Sequence, residues 1–263
     1  MDLGIKGKVA LVSASSKGIG RAIAEELASA GCSLVMCARG EKELRSAAEA
    51  IRASSNIDVL EVVADVSKRD DIQRLVAAAE KKFGRVDILV TNSGGPPSGA
   101  FESLTPDMWD TASRLLLTSV VELSRAVLPG MKQRRWGRIL NVTSIAAKQP
   151  VEGLMLSNSL RAAVHGFART LANEVATFGI TVNNILPGFT RTERVESLAK
   201  QASDSRGISV EDSYKLWEEQ IPMGRMGEPR EIAAVAAFLV SERASFLTAG
   251  SIAVDGGWIR SLL

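Results

Sequence analysis

The sequence predicts a doubly wound α/β domain, with a parallel sheet of about seven strands and helices on both faces. Short apolar runs alternate with longer segments of helical periodicity along the whole chain, the pattern of repeated βαβ units. Runs such as Ile88-Leu89-Val90 carry no polar alternation, as expected of strands covered on both faces. A glycine-rich turn, Ser13-Ala14-Ser15-Ser16-Lys17-Gly18-Ile19-Gly20, follows the first apolar run and opens an amphipathic helix. No internal repeat or low-complexity linker breaks the alternation, so residues 1–263 are read as one domain.

In chain order, Val9-Ala10-Leu11-Val12-Ser13 is the first predicted strand, and the helix at 18–30 ends at Gly31, a residue suited to the left-handed cap conformation. Strand 33–38 and helix 41–53 follow, then strand 59–64 and helix 68–83, then strand 88–92. Helix 106–135 has a marked start: Thr105 is the N-cap, Pro106 takes the first turn, and Asp107 lies where the dipole favours an anion. Strand 138–142 leads to helix 156–178, which Gly179 closes, and strand 181–186 follows. Residues 190–220 differ, being polar and lying between a strand end and Pro222. Because they leave the sheet at the carboxyl end of a strand, where open α/β sheets bind ligands, they are expected to form a substrate lid; a solvated surface insertion is the alternative. Helix 230–240 and strand 251–254 complete the sheet.

Composition narrows the classes. Hydrophobic residues make up 46% and charged residues 24%, as in a soluble globular protein with a sizeable core. The net charge of +2, with no basic arm and no zinc-finger spacing, argues against nucleic acid and structural metal. The basic cluster at 132–138 ends an apolar helix, where cations complement the dipole. Cys32 and Cys37 flank a buried strand at an odd separation, which places them on opposite faces as reduced thiols. The first residues lack a signal-peptide pattern, and no apolar stretch approaches the ~20 residues of a membrane helix, so a cytoplasmic, soluble protein is expected.

A glycine turn between a strand and a helix lets backbone amides approach a pyrophosphate, with help from the helix N-terminus. Four further motifs accompany it: Asp65-Val66, Thr91-Asn92-Ser93-Gly94-Gly95, Pro187-Gly188-Phe189-Thr190-Arg191-Thr192 and Val254-Asp255-Gly256-Gly257. In that order and at those spacings, from about Lys6 to Gly257, the chain resembles the short-chain dehydrogenase/reductase family, particularly its members similar to 3-oxoacyl-(acyl-carrier-protein) reductase. The resemblance implies a Rossmann-type fold and a cofactor held by Ser13, Ser15, Ser16, Lys17, Gly18, Ile19 and Gly20, with Asp65 and Val66 at the adenine, Asn92 and Gly94 at the adjoining ribose, and Pro187, Gly188 and Thr192 at the nicotinamide. Ala14 stands where the family has glycine, and is strained if that residue takes a positive φ. After the second strand comes Arg39 with no acid before Glu41, and Lys17 adds a second cation; together they suit a 2′-phosphate, so NADP(H) is expected over NAD(H). Two solvent-facing cations without a ligand are the plain alternative.

The family reduces carbonyls with Asn, Ser, Tyr and Lys, the cation lowering the pKa of the phenol that donates the proton. Gly137-Arg138-Ile139-Leu140-Asn141-Val142-Thr143-Ser144 matches the serine-bearing strand, making Ser144 the expected partner of a substrate carbonyl. The tyrosine and lysine positions, thirteen and seventeen residues further on, hold Ser157 and Arg161, and the asparagine position holds Leu116. Tyr214, in the expected lid, is the chain's one tyrosine. Arg161 keeps a positive charge but cannot relay protons, and Ser157 is a far weaker acid than a phenol. Both could equally be packing or surface residues. His165, one helical turn after Arg161, is a further candidate acid, or a structural histidine.

The expected activity is NADP(H)-dependent reduction of a small-molecule or acyl-thioester carbonyl by a site built from Ser144, Ser157 and Arg161. The alternative is a catalytically impaired cofactor-binding or scaffold protein of the same fold. Apolar residues on more than one face of two helices, Leu115, Leu117, Val120 and Val121 on one and Leu171 and Val175 on the other, imply a homo-oligomer, dimer or tetramer.

Overall fold

A computed structural model describes residues 2–262, without the side chains of residues 205 and 206. Seven parallel strands form one sheet in the order β3-β2-β1-β4-β5-β6-β7. They are β1 (Val9–Ser13), β2 (Ser33–Ala38), β3 (Val59–Val63), β4 (Ile88–Thr91), β5 (Gly137–Val142), β6 (Ile180–Pro187) and β7 (Ser251–Val254). Side-chain alternation divides the core. Ala10 and Val12 of β1 and Leu34 and Met36 of β2 face α1 (Gly18–Ser29), α2 (Glu41–Ser54) and α9 (Pro229–Leu239). Val9, Leu11 and Val35 face α3 (Arg69–Phe83), α5 (Ser119–Arg134) and α6 (Met155–Val175) on the other side. Cys32 belongs to the first face and Cys37 to the second, both free, and burial above all pushes each thiol up to about 12.

Two helical predictions are revised. The helix expected at 106–135 is α4 (Pro106–Ser113), a single wide π turn (Arg114–Thr118) and then α5. Its start is as predicted, Thr105 accepting from the Met108 amide at 3.4 Å. Residues 190–220 contain α7 (Glu193–Arg206) and α8 (Val210–Glu218), capped by Thr192 and Ser209, whose side chains accept from the Val195 and Asp212 amides. This segment is anchored by apolar packing: Phe189 stacks on Trp217 at 5.0 Å and meets Trp258 edge-on at 6.1 Å, and Tyr214 packs beside them.

Of the apolar residues expected to seek a second burial surface, Val120, Leu171 and Val175 are already buried within the protomer, because α5 and α6 turn them into the core. Leu115, Leu117 and Val121 remain partly exposed. Among the described residues, no helix is long and apolar enough to cross a membrane.

Candidate active site

Strand order reverses between β1 and β4, and there the carboxyl ends of the strands open into a cleft of about 640 Å³. Ser16, Lys17, Gly18, Ile19, Arg39, Asp65, Val66, Asn92, Gly94, Pro187, Gly188 and Thr192 line it, together with Ser144, Ser157 and Arg161. Ser13, Ser15 and Gly20 do not line the cleft and lie behind it. The buried Ser13 hydroxyl donates to the Asn92 carbonyl at 2.7 Å and accepts from the Asn92 amide at 2.8 Å, stitching β1 to the chain beyond β4. Ser15, also buried, points to the Cys37 carbonyl at 3.5 Å. At Gly20 a Cβ would lie 2.3 Å from the Ala14 carbonyl oxygen and 2.6 Å from Asn92 Nδ2, so this glycine lets the start of α1 press against its own turn.

The turn is shaped for an anion. Lys17, the N-cap of α1, makes no side-chain capping bond, so the first amides of the helix keep their donors for a ligand. Ala14 adopts φ 48°, the left-handed conformation that costs a side chain with a Cβ about 1–2 kcal/mol. Arg39 leaves β2 exposed at the cleft edge. Burial opposes ionisation of Asp65, but the amide and hydroxyl of Ser67, at 3.0 and 2.7 Å, and the charges of Arg39 and Lys68 hold its carboxyl below the usual range. Lys17 is ion-paired with Glu193, the first residue of α7, so the glycine turn and α7 meet at the cleft.

At the other end, two hydroxyls face the cleft with their protons free. Ser144 accepts from the Ala146 amide at 3.1 Å, and Ser157 accepts from Arg161 Nε at 3.2 Å; neither hydroxyl has a protein acceptor among the described residues. Arg161 is drawn inward, donating through Nη1 to the Val142 and Thr143 carbonyls at 3.0 and 2.8 Å, at the end of β5. Burial, with repulsion from Arg194, pushes its guanidinium down to about 10. Leu116 is buried in the π turn, and Tyr214 lies in the aromatic cluster outside the cleft.

His165 does not line the cleft. Asn184 Nδ2 donates to Ser251 Oγ at 3.1 Å, and Ser251 Oγ lies 3.4 Å from His165 Nδ1. On its other side Nε2 lies 3.0 Å from Thr143 Oγ1, which donates to the Ile185 carbonyl at 3.2 Å. This network assigns the proton to Nε2 of a neutral ring. Burial, then the charges of Lys148 and Arg161, hold its pKa down to about 4. The ring is therefore a brace between α6 and the ends of β5, β6 and β7, and not an acid poised over a substrate.

The sequence reasoning missed Arg194. From the first turn of α7 its guanidinium reaches back over Gly95, where a Cβ would lie 2.6 Å from Nε, and Nη2 donates to the Pro96 carbonyl at 2.7 Å. The signal was available: Thr192 as an N-cap sets Arg194 in a first turn, where the helix dipole disfavours a cation. Apolar Leu115, Val151, Leu154 and Leu198, which wall the same end of the cleft, were also missed.

A parallel sheet that switches strand order over a glycine turn is the architecture of nucleotide-binding α/β proteins. Residues 13–259 match a family model described as Enoyl-(Acyl carrier protein) reductase. The chain belongs to the short-chain dehydrogenase/reductase family, among members similar to 3-oxoacyl-(acyl-carrier-protein) reductase. It is 37% identical to the 3-oxoacyl-(acyl-carrier-protein) reductase of Haemophilus influenzae over 96% of this chain and 98% of the relative. It is also 37% identical to the D-beta-hydroxybutyrate dehydrogenase of Cupriavidus necator, over 97% and 99%. Among solved structures, L-sorbose reductase from Gluconobacter frateurii, complexed with NADPH and L-sorbose, superposes with a TM-score of 0.95 at 35% identity, covering 100% of both chains. Actinorhodin polyketide ketoreductase with NADPH gives 0.93 at 34% identity, covering 97% of this chain and 98% of that one.

Proposed function

We propose that the protein is an NADP(H)-dependent carbonyl reductase, acting on a 3-oxoacyl compound or a similar carbonyl with an altered site. The observation that carries this reading is that Ser144, Ser157 and Arg161 line the same cleft as the glycine turn and Arg39. The solved relatives named with NADPH support the choice of cofactor, and so does the pair of cations, Lys17 and Arg39, at the cleft edge. Ser16, Gly18 and Ile19 would face the pyrophosphate, Asp65 and Val66 the adenine, Asn92 and Gly94 the ribose, and Pro187, Gly188 and Thr192 the nicotinamide.

The bound cofactor supplies a hydride to the carbonyl carbon. The residues of the chain manage the oxygen: the free protons of Ser144 and Ser157 point at it, and the charge of Arg161 stabilises the alkoxide as it forms. Each well-placed donor is worth roughly 3 kcal/mol in the transition state. A serine hydroxyl and a guanidinium hold their protons at neutral pH, so water supplies the proton that completes the alcohol and leaves as hydroxide.

The test is NADPH oxidation with 3-oxoacyl thioesters and small ketones. Turnover of any of them supports the reading. Cofactor binding by fluorescence with no absorbance loss on any substrate would instead favour a cofactor-binding scaffold, a role consistent with the inward tie of Arg161 to two backbone carbonyls. The paired substitution Ser157→Tyr with Arg161→Lys is expected to raise the rate by about a hundredfold, since it restores a proton donor and its cation.

Assembly follows the same reading. Partly exposed Leu117 of the π turn and Val121 of α5, with the small residues Ala162, Ala163 and Gly166 of α6, would pair with a second copy, giving a dimer or tetramer. Light scattering that finds a species of 28.0 kDa alone would overturn this.

A further inference from the structure

The substrate end of the cleft carries positive charge that no carboxylate among the described residues pairs with. Arg161 and Arg194 both line it, and among the described residues neither forms an ion pair with a carboxylate. The acids that line the cleft stand at the cofactor end and have other partners or positions: Asp65 is held by Ser67 and Glu193 by Lys17, while Glu43 opens α2. Both guanidiniums keep unused donors. Among the described residues, Arg161 spends Nε and Nη1 on Ser157 and two carbonyls and leaves Nη2 without an acceptor, and Arg194 spends Nη2 on Pro96 and leaves Nε and Nη1.

This arrangement is costly for the protein alone. Arg194 occupies the first turn of α7, where the dipole disfavours a cation. Gly95 is what lets its guanidinium lie against the loop after β4. Burial holds both groups below the usual arginine range, and Arg194 repels Arg161. Two half-desolvated cations with spare donors at one end of a cleft are a receptor for an anion.

We propose that the carbonyl substrate is an oxo acid, whose carboxylate is held by Arg161 and Arg194 while its carbonyl oxygen faces Ser144 and Ser157. The contact between Ser157 Oγ and Arg161 Nε, at 3.2 Å, puts the two recognition points side by side, so the carboxylate lies one or two carbons from the carbonyl. Leu115, Leu154 and Leu198 enclose the apolar remainder of the substrate. The inference rests on the reductase reading and narrows its substrate class.

The test compares acids with their neutral esters, pyruvate with methyl pyruvate and acetoacetate with methyl acetoacetate, at saturating NADPH. The acids are expected to be preferred in kcat/KM by about tenfold or more, the worth of a charge-assisted hydrogen bond. Arg194→Met is expected to lower the acid-to-ester ratio at least about tenfold, and Gly95→Ala, which displaces the guanidinium, to lower it in the same direction. Esters reduced as well as acids, or a ratio that Arg194→Met leaves unchanged, would overturn the anion site while leaving the reductase standing. If acids, esters, 3-oxoacyl thioesters and small ketones all go unreduced, the reductase reading is what fails. Calorimetric titration of the NADPH-loaded protein with acetoacetate then decides the anion site: binding that Arg194→Met abolishes upholds it, and no binding overturns it.

Discussion

Arg161 donates from Nε to the Ser157 hydroxyl at 3.2 Å, which fixes the direction in which the serine can give its own proton. One lone pair is taken by the guanidinium, so the proton turns to the cleft. Ser157→Ala is therefore expected to lower kcat by about a hundredfold, the usual loss of one oxyanion donor, with little change in KM. Stability should fall by only about 1 kcal/mol, the worth of one hydrogen bond. Steady-state kinetics and a urea melt on the same preparation check both halves.

Ala14 stores strain in the glycine turn, with φ at 48°. Replacing it by glycine removes a penalty of about 1–2 kcal/mol and adds back about 0.5–1 kcal/mol of chain entropy in the unfolded state. Ala14→Gly is expected to stabilise the protein by about 0.5–1 kcal/mol and to leave room for a closer approach of the cofactor. An unchanged or lower urea midpoint would show that the turn is not strained.

Lys17 is claimed by Glu193 across the cleft, and both side chains are more than half exposed, at 61% and 65%. Such a pair is weak and gives way to a better anion. Glu193→Gln is expected to tighten NADPH about threefold while leaving NADH nearly unaffected, and Arg39→Gln to weaken NADPH about tenfold. Fluorescence titrations with both dinucleotides separate the cases, and equal shifts for the two would remove the 2′-phosphate from the account.

His165 links acidity to folding. In the folded protein its ring stays neutral down to about 4, whereas the unfolded ring takes a proton below about 6.5. Between those values the unfolded state binds the extra proton, so stability present above pH 6.5 is lost as pH falls towards 4. His165→Gln is expected to flatten that part of the curve, read as unfolding free energy against pH beside the unsubstituted protein. A curve of unchanged slope would place the acid sensitivity elsewhere.

The sheet was legible because a strand buried on both faces announces itself as an unbroken apolar run. The predicted bounds of β1, β2 and β7 coincide with those found, and β3 ends one residue early, at Val63, on the sheet edge. The π turn was not legible: Arg114-Leu115-Leu116-Leu117-Thr118 contains neither glycine nor proline, and one extra residue in a helical turn leaves the apolar pattern nearly intact. Helices α7 and α8 were signalled by Thr192 and Ser209, but their polar faces blurred the periodicity. At the site, the family resemblance singled out Ser144, Ser157 and Arg161, and all three line one cleft. It could not say which way Ser13 and Ser15 turn, because a buried serine and a ligand-facing one look alike in sequence.

The segment 190–220 is fastened unequally. Phe189, Trp217 and Trp258 bind its base to the body through stacked and edge-on rings. The front of α7 is tied down by polar contacts: Lys17 with Glu193, Arg194 with the Pro96 carbonyl, and Ser98 with Gln201 at 2.8 Å. Water can replace each of these polar ties, whereas parting the rings would expose apolar surface. Residues 190–220 are thus rooted through aromatic rings and only latched along their front edge, beside the glycine turn.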